Sequence, residues 1–420
     1  MRRRDVPTTA NNGSATKKTA GHDHQDASSK YGVQAELNFV ERASHFSERS
    51  GTFRGASTTP KHSEVIDHVS GVIKQRFGPT YNVEPFGSTV YMRGFGVSQQ
   101  LLGNQNTNGL YRSKGDLDLE ILDMDRPFGF TPDVDINKLP GISIEVYRRL
   151  AAMFSRAGFK DVQPVPTASV PIVKFQDPRT QLSIDINVND RLGLMNSHLL
   201  RNYCDVLPGL RKLLAVIKLW ALPLDLNNPS GGANVSFSTY ALTLMTLGWL
   251  QFKGLAPNLQ HGFDVSTELA KEGSFWIRSS TRAKNATRLW CDVRFRPVTA
   301  QDCYPPLPVE ETFADWLHFW GHAFDFEHHS IDIKDGGVHP RPDAMMQSDA
   351  PRLSNVVCVV DPFIRSRNVT RSVGHDTLDM LRTECCLTLD VVRTRRLPMS
   401  TIISGYGSLQ RLREPRVSIP

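Results

Sequence analysis

The feature that most constrains this 420-residue chain is a pair of segments in which aspartates alternate with apolar residues. Segment 115–122 reads Gly-Asp-Leu-Asp-Leu-Glu-Ile-Leu, and segment 182–188 reads Leu-Ser-Ile-Asp-Ile-Asn-Val. Successive side chains of a β-strand point to opposite faces. Asp116 and Asp118 therefore share one face, and Asp185 lies on the polar face of the second strand. If the two strands are neighbours in one sheet, three carboxylates converge, and such like charges repel unless a cation neutralises them.

The cation that suits this arrangement is Mg²⁺, with Mn²⁺ as the other candidate, because Mg²⁺ takes oxygen ligands from a few carboxylates and from substrate phosphates. Two such ions about 3.5–4 Å apart can clamp an in-line phosphoryl displacement. A second element precedes the aspartates, since the predicted strand 83–89 ends in Gly87-Ser88. The glycine lets backbone N–H groups approach an anion, and the serine hydroxyl can donate to a phosphate oxygen.

Composition indicates which partners the chain can have and the state of its cysteines. The net charge of +6, from 49 basic and 43 acidic residues, mildly favours a polyanionic partner. The longest apolar stretch, 240–250, is too short to span a bilayer, so no membrane partner is expected. The six cysteines show no C-x-x-C spacing, which favours reduced thiols over disulfides or a metal cluster.

Hydrophobic periodicity predicts an α/β half followed by a mainly helical half, with a cleft between them. Predicted helices cover 61–77, 142–157, 192–203, 207–222, 236–252, 313–326 and 373–392, and predicted strands cover 83–89, 115–122, 170–175, 182–188 and 356–360. The predicted organisation is a disordered N-terminal segment 1–35, a catalytic domain 60–200 with a loop insertion at 91–113, a helical domain 201–395 with an irregular segment 260–311, and a C-terminal tail 396–420.

The motif series continues into the helical half. Gly-Leu-Met-Asn-Ser at 193–197, Ile-Lys-Leu-Trp at 217–220, Ser-Phe-Ser-Thr-Tyr-Ala at 236–241 and Asp-Pro-Phe at 361–363 follow Asp185 in order. Together with Gly-Ser and Asp-x-Asp, this series resembles noncanonical RNA nucleotidyltransferases of the DNA polymerase beta superfamily. These are the terminal uridylyltransferases and their poly(A) polymerase relatives, and the likeness covers roughly residues 60–395. Within the family, the sequence looks most like trypanosomatid mitochondrial uridylyltransferases associated with an editosome-like complex.

The resemblance implies an α+β fold, in which a polymerase beta-like domain with a mixed sheet joins a mainly helical poly(A) polymerase-associated-like domain. It implies template-independent addition of UMP from UTP to an RNA 3′-hydroxyl by a two-metal mechanism. The implied partners are an RNA 3′ end, UTP and a multiprotein RNA-processing complex. The resemblance implies mitochondrial localisation, with the cytoplasm as the alternative. In the sequence itself, Arg2, Arg3 and Arg4 suit a mitochondrial presequence, while Asp5, Asp23 and Asp26 argue against one.

The resemblance also assigns roles to individual residues. Asp116, Asp118 and Asp185 would be the catalytic metal ligands. The nucleotide would be bound by Gly87, Ser88, Asn196, Lys218, Ser238, Thr239, Tyr240 and Asp361. Ser88, Lys218 and the 238–239 hydroxyls would contact the triphosphate, Asn196 the ribose, Tyr240 the base face and Asp361 the base edge. Each has an ordinary structural alternative: Ser88 as a turn residue, Lys218 as a surface lysine, Tyr240 as a core aromatic and Asn196 as a helix cap.

Three positions depart from the family pattern. Gly115 stands where a serine often precedes Asp-x-Asp, Leu222 stands where a second lysine follows Lys218 by one helical turn, and Ile364 stands where uridine-selective relatives commonly have Glu. Ile364 keeps open an ATP-using poly(A) polymerase. Gly115 and Leu222 keep open an inactive relative that only binds RNA or a protein complex.

Overall fold

A computed structural model describes residues 60–92, 117–126, 128–129, 131, 144–166, 168, 170–189, 191–229, 235–263, 274–278, 288–299, 302, 304–341 and 356–395. All of them belong to one unit of the chain, Thr52–Pro420. The predicted segment 1–35, Gly115, Asp116 and the tail 396–420 lie outside the described residues, as does the predicted loop insertion except for its first two residues.

The first half of the chain builds a five-stranded mixed sheet in the strand order β1-β2-β5-β4-β3. β2 runs antiparallel to β1 and parallel to β5, and β4 runs antiparallel to both β5 and β3. The elements of this half are α1 (Pro60–Phe77), β1 (Tyr81–Phe86), the short helix α2 (Ser88–Tyr91), β2 (Leu117–Asp123), α3 (Ile144–Arg156), β3 (Lys160–Val165), β4 (Ile172–Gln176) and β5 (Ser183–Val188).

One face of this sheet is buried under α1 and α3. Leu117, Leu119 and Ile121 of β2 lie in the same apolar cluster as residues of both helices, such as Val69 of α1 and Phe154 of α3. Their alternation is the pattern expected of a strand with one core face. Because the core takes the odd-numbered residues of β2, the even-numbered Asp118 and Glu120 share the opposite face.

The second half is mainly helical and has its own apolar cluster, which contains the fully buried Trp249, Trp316 and Trp320. Tyr91, the last residue of α2, is 3 % exposed and lies in this second cluster, so the segment after β1 is anchored in the helical half. The helices are α4 (Arg191–Val206), α5 (Leu210–Ala221) with a 3₁₀ turn at Leu222–Leu224, α6 (Thr239–Phe252), α7 (Val309–His318) with a π-helical turn at Phe319–Ala323, and α8 (His375–Arg395).

The region predicted to be irregular contains a hairpin, and a second hairpin follows α7. β6 (Ser274–Arg278) pairs with β7 (Arg288–Asp292), and β8 (His329–Asp332) pairs with β9 (Gly337–Pro340). The second hairpin packs closely on α6, since a Cβ atom added at Gly248 would lie 2.3 Å from the Ile331 side chain.

The predicted strand 356–360 was wrong as a regular strand. It forms only two isolated bridges, Ile331 with Val359 and Val360 with Asn368. The reason is that the Asn368 side chain, rather than the backbone of a neighbouring strand, bonds to this segment. Asn368 Oδ1 accepts the Val359 N–H at 3.0 Å, and Asn368 Nδ2 donates to the Val357 carbonyl at 2.9 Å.

Two expectations from composition can be compared with the described part of the chain. None of its helices combines the length and apolar character of a membrane span. Its five cysteines are free thiols, namely Cys204, Cys291, Cys358, Cys385 and Cys386. Cys303 lies outside the described residues.

Candidate active site

Two of the three predicted catalytic aspartates are side by side. In the parallel pair β2–β5, Asp118 is the register partner of Asp185. Register partners on adjacent strands point to the same face, and neighbouring strands are about 4.8 Å apart. Both residues are partly exposed, so their carboxylates are accessible from outside the protein. The third aspartate, Asp116, lies outside the described residues.

The Gly87 backbone supports the Asp118 carboxylate. Phe86 at the end of β1 is the register partner of Asp118, and the chain turns at Gly87 with φ 74° and ψ −162°. This conformation is accessible almost only to glycine. A Cβ atom at this position would lie 2.2 Å from Asp118 Oδ2, so any residue other than glycine would clash with the carboxylate. The Gly-Ser motif and the Asp-x-Asp motif are therefore in direct contact.

A cation already contacts Asp185 from the other side. Lys174 of β4 is the register partner of Asp185, and its Nζ atom lies 2.5 Å from Asp185 Oδ2. The sequence analysis missed Lys174, although its position between the buried Val173 and Phe175 places it on the face that carries Asp185. The ion pair shows that this carboxylate can hold a positive charge.

The residues present fit a hard divalent cation. Asp118 and Asp185 supply carboxylate oxygens, which are the donors that Mg²⁺ and Mn²⁺ take. Within the described ranges, no cluster of three or more His, Cys, Asp and Glu side chains could by itself hold a metal ion. A complete ligand set from this chain therefore needs Asp116, which Leu117 joins to Asp118 along the strand, or oxygens from a substrate.

Two buried charged residues, Glu120 and Arg191, follow the aspartates along the chain. Glu120, two residues after Asp118 on the same face, is 0 % exposed, and Arg191 at the start of α4 is 6 % exposed. Burial lowers the pKa of the Arg191 guanidinium, and the nearby carboxylates of Glu120 and Asp123 oppose this shift. Arg191 also donates to the backbone carbonyls of Asp123 and Arg126, at 2.7 and 3.0 Å. These contacts fix β2 against α4.

Helix α4 links the sheet to the nucleotide-binding residues predicted in the helical half. Ser197 Oγ accepts the Gly87 N–H at 2.8 Å and donates to the Gly193 carbonyl at 2.7 Å. One residue earlier, Asn196 Oδ1 accepts the hydroxyl of Tyr240 at 2.9 Å. Asn196 is in the interior of α4, so its alternative role as a helix cap is wrong. A continuous line of contacts thus joins Asp118, Gly87, α4 and Tyr240.

The predicted hydroxyl residues lie at the N-terminus of α6. Ser238 is the N-cap, and its Oγ accepts the Ala241 N–H at 3.0 Å. Thr239 donates through its hydroxyl to Asn227 Oδ1 at 3.2 Å. A helix N-terminus presents N–H groups and a partial positive charge, which favours anions. Lys218 lies half-buried in the last turn of α5, and Leu222 directly follows α5 with its side chain 45 % exposed.

Asp361 is fully buried near Tyr240. Its Oδ1 accepts the N–H groups of Phe363 and Ile364, both at 2.9 Å, and Arg367 Nη1 is 3.8 Å from its Oδ2. Burial raises the pKa of the Asp361 carboxyl, and Arg367 opposes that shift. Burial also raises the pKa of the Tyr240 phenol well above its usual value, with the Asp361 carboxylate adding to the effect. Tyr240 therefore stays a neutral hydrogen-bond donor.

Comparison with known proteins connects this geometry to a family. Residues 105–205 match the family model described as the central palm domain of mitochondrial-like poly(A) RNA polymerase, and residues 311–367 match the one described as Cid1 family poly A polymerase. The first match contains the aspartate strands, and the second contains the 361–367 turn. The chain is therefore similar to noncanonical RNA polymerases over these two ranges.

Individual proteins show the same similarity. The chain is 30 % identical over 247 residues to the poly(A) RNA polymerase cid13 of Schizosaccharomyces pombe, covering 56 % of this chain and 38 % of that protein. It is 25 % identical over 320 residues to the poly(A) RNA polymerase GLD2 of Mus musculus, covering 76 % and 60 %. The chain thus spans between about two fifths and three fifths of the length of these two relatives.

Solved structures confirm the expected fold. A Cid1 poly(U) polymerase crystal structure aligns with a TM-score of 0.56 at 19 % identity, covering 88 % of this chain and 97 % of that one. The mtPAP structure in complex with UTP aligns with a TM-score of 0.59 at 17 % identity, covering 93 % and 77 %. The chain therefore has the predicted polymerase beta-like α+β fold with a mixed sheet and a helical part.

Proposed function

We propose that the chain is a template-independent RNA 3′-terminal uridylyltransferase, which transfers UMP from UTP to the 3′-hydroxyl of RNA. The observation that carries this proposal is the register pairing of Asp118 with Asp185 beside the Gly87 turn. Two strand carboxylates next to a glycine backbone suit a reaction in which a triphosphate and a hydroxyl must be brought together.

The aspartates would hold the metal ions in this proposal. Divalent cations bound by Asp116, Asp118 and Asp185 would supply activation of the 3′-hydroxyl and neutralisation of the leaving pyrophosphate. The chain's own contribution at the sheet is positional. Gly87 fixes Asp118, Arg191 holds the end of β2 against α4, and Ser197 holds the Gly87 turn against the same helix. Preorganised charges of this kind supply most of the barrier reduction in phosphoryl transfer.

The nucleotide would lie between the sheet and the N-terminus of α6. Ser88, Lys218, Ser238 and Thr239 would contact the triphosphate, with the partial positive charge of α6 adding to the attraction. The exposed Leu222 supplies no charge, so Lys218 would act without the second lysine. Asn196 and Tyr240 are already hydrogen-bonded to each other. That bond would hold the amide towards the ribose and the aromatic ring towards the base.

A second candidate function is ATP-dependent poly(A) addition. Two of the similar proteins favour it, since cid13 and GLD2 are poly(A) RNA polymerases. The overall likeness of the motif series to terminal uridylyltransferases favours UTP. We also propose that the enzyme acts in mitochondria within a multiprotein RNA-processing complex. Location by microscopy and co-purification of RNA-processing proteins would test that part.

Extension of a labelled single-stranded RNA by each NTP separately tests the proposal. With Mg²⁺ present, we expect ladder formation from UTP, and we expect Asp185→Asn to lower the rate by at least about 10²–10³-fold because a metal ligand is lost. Asp161→Asn is the matched control, since Asp161 is an exposed acid on β3 whose positive φ of 52° suits asparagine.

Three results would change the assignment. Preferential addition of A would move the chain to the poly(A) polymerases. Metal-dependent UTP binding without extension would indicate an inactive relative. Equal rates for Asp185→Asn and Asp161→Asn would remove the catalytic role of the aspartate pair.

A further inference from the structure

The short helix α2 carries Ser88 and depends on other parts of the chain for its position. It has four residues, Ser88–Tyr91, and so forms a single turn. A helix of this length is not stable by itself, because one turn fixes several backbone angles for few hydrogen bonds. Contacts with other elements therefore decide where the Ser88 hydroxyl lies beside the aspartate strands.

Both ends of α2 are held by the helices of the second half. Just before α2, the Gly87 N–H donates to Ser197 Oγ of α4 at 2.8 Å. At its last residue, the Tyr91 carbonyl accepts the Nε–H of Arg211, in the first turn of α5, at 3.0 Å. The last carbonyls of a helix have no partner within the helix, and a cation near them is favourable. Arg211 therefore supplies a donor and a positive charge where α2 ends.

The Arg211 guanidinium is itself held in place. Its Nη1 donates to the Cys204 carbonyl of α4 at 3.1 Å, and its Nη2 pairs with the carboxylate of Asp205. The guanidinium is planar and its donors have a fixed geometry, so these contacts determine the direction of the Nε–H. Arg211 thus ties the end of α2 to the place where α4 ends and α5 begins.

The Tyr91 side chain connects α2 to the predicted triphosphate contacts of α6. Tyr91 is 3 % exposed, and its hydroxyl is hydrogen-bonded to the side chain of Thr243 in α6. The Thr243 hydroxyl donates to the Thr239 carbonyl at 2.8 Å, so it accepts from Tyr91. Burial raises the pKa of the Tyr91 phenol, which keeps it a donor. One path of contacts therefore runs from Ser88 through Tyr91 to Thr239.

We propose that Arg211 is a positioning residue for the triphosphate of the bound nucleotide. By holding the Tyr91 carbonyl, it fixes the spacing between Ser88 and Thr239. This inference rests on the proposed function, since it needs a nucleoside triphosphate between the sheet and the N-terminus of α6. Donors on both elements must meet the phosphate oxygens at once, so a displaced α2 weakens the binding of the whole triphosphate. Arg211 acts through α2 and contacts no nucleotide in this scheme.

Calorimetric titration without RNA tests the role of Arg211, because it needs no turnover. Arg211→Met retains a long side chain but removes its charge and its donors. We expect the Kd for Mg²⁺–UTP to rise by about 5- to 20-fold, less than the roughly 10²-fold cost of misplacing a catalytic group by 1 Å. The Kd for Mg²⁺–ATP should rise by the same factor, since both nucleotides carry the triphosphate. The weaker binding of uridine, which has no phosphate, should not change.

Arg201→Met is the matched control. Arg201 Nε pairs with the same acid, Asp205, at 3.5 Å, and the two arginine side chains are 26 % and 25 % exposed. Each variant loses one positive charge and leaves Asp205 with one arginine partner. Only Arg211→Met loses the donor to the Tyr91 carbonyl. We expect Arg201→Met to bind Mg²⁺–UTP with the Kd of the unsubstituted chain, and an equal loss of affinity in both variants would overturn the role of Arg211.

A second pair of variants separates positioning from a general loss of stability. Tyr91 and Tyr203 are buried in the same apolar cluster, and the Tyr203 hydroxyl accepts the amide of Gln251 at 3.0 Å. Tyr91→Phe and Tyr203→Phe each remove one buried hydroxyl, so both should unfold at lower urea concentration. Only Tyr91→Phe should raise the Kd for Mg²⁺–UTP, by about 3- to 10-fold, the usual effect of one hydrogen bond.

The outcomes distinguish this inference from the proposed function. An unchanged Kd for Mg²⁺–UTP in Tyr91→Phe and a folded Arg211→Met, or an equal loss of affinity for uridine, would overturn the positioning role. If circular dichroism shows that Arg211→Met does not fold, Tyr91→Phe against Tyr203→Phe decides. Equal losses for UTP and ATP in a chain that extends RNA only with A would support Arg211 and reject uridylyl transfer. Binding of neither nucleotide by the unsubstituted chain would overturn both.

Discussion

Substitution of Gly87 by alanine tests the contact between the two motifs of the site. The backbone there has φ 74° and ψ −162°, a conformation that costs a non-glycine residue about 1–3 kcal/mol. The new Cβ would lie 2.2 Å from Asp118 Oδ2, well below the 3.0 Å that Cβ contacts respect. The Asp118 carboxylate must therefore move by about 1 Å, a displacement that costs about 10²-fold in rate when it affects a catalytic group.

The experiment pairs Gly87→Ala with Gly254→Ala. Gly254 has a similar φ of 69°, and a Cβ added there would meet nothing within 4 Å. We expect both variants to lose stability in urea denaturation, by about 1–3 kcal/mol. Only Gly87→Ala should lose RNA extension, by about 10²-fold in single turnover at saturating UTP and Mg²⁺. Near-normal extension by Gly87→Ala, or an equal loss in both variants, would refute the claim that Gly87 sets the position of Asp118.

Two further predictions concern the side chains of Lys174 and His198. Lys174 competes with a metal ion for Asp185 Oδ2. Lys174→Met should therefore lower the Mg²⁺ concentration for half-maximal extension by about two- to fivefold. The control Lys160→Met, which changes an exposed lysine on the edge strand β3, should leave that concentration unchanged. An unchanged Mg²⁺ requirement in Lys174→Met would contradict this. Burial lowers the pKa of His198, in α4, from 6.5 to about 4 in the folded chain. The unfolded chain therefore binds the proton first, and the free energy of unfolding falls as the pH drops from 6.5 towards 4. Relative to His198→Gln, the free energy of unfolding should decrease by up to about 3 kcal/mol between pH 7 and pH 4, and parallel pH profiles would exclude this contribution.

Much of the site could be predicted because its signals are local. The alternation around Asp118 and Asp185 gives the face of each aspartate from the strand period alone. What the alternation cannot give is the pairing of the two strands. Sequence separation between β2 and β5 is large, and a slip of one residue would move one aspartate to the other face. The register partnership of Asp118 and Asp185 is thus a property of the folded chain.

There are identifiable reasons why the sequence analysis did not predict β3, β8 and β9. β3 contains Pro164 and mostly polar residues, which strand patterns exclude, yet it lies at the edge of the sheet where proline is tolerated. The β8–β9 hairpin has strands of only four residues. Its turn contains Asp335-Gly336, and a dipeptide of this type is a hairpin signal that could have located it.

The turn at 361–367 was only partly predictable. Asp361 was identified by its motif, whereas no local pattern distinguishes Arg365 from Arg367. Their difference arises from long-range contacts, because Arg365 is paired with acids about 30 residues earlier in the chain. Such contacts depend on how the hairpin packs on α6, which no local pattern encodes. Lys174 escaped notice for the same reason, since its partner Asp185 is on the next strand.

The central claim is that Asp118 and Asp185 jointly hold a divalent cation beside a nucleotide. The most direct measurement is Mn²⁺ binding, followed by electron paramagnetic resonance in the presence of a non-reactive UTP analogue. We expect a bound-Mn²⁺ signal in the unsubstituted chain and in Asp161→Asn, and loss of that signal in both Asp118→Asn and Asp185→Asn. Unchanged Mn²⁺ binding in Asp185→Asn would contradict the account.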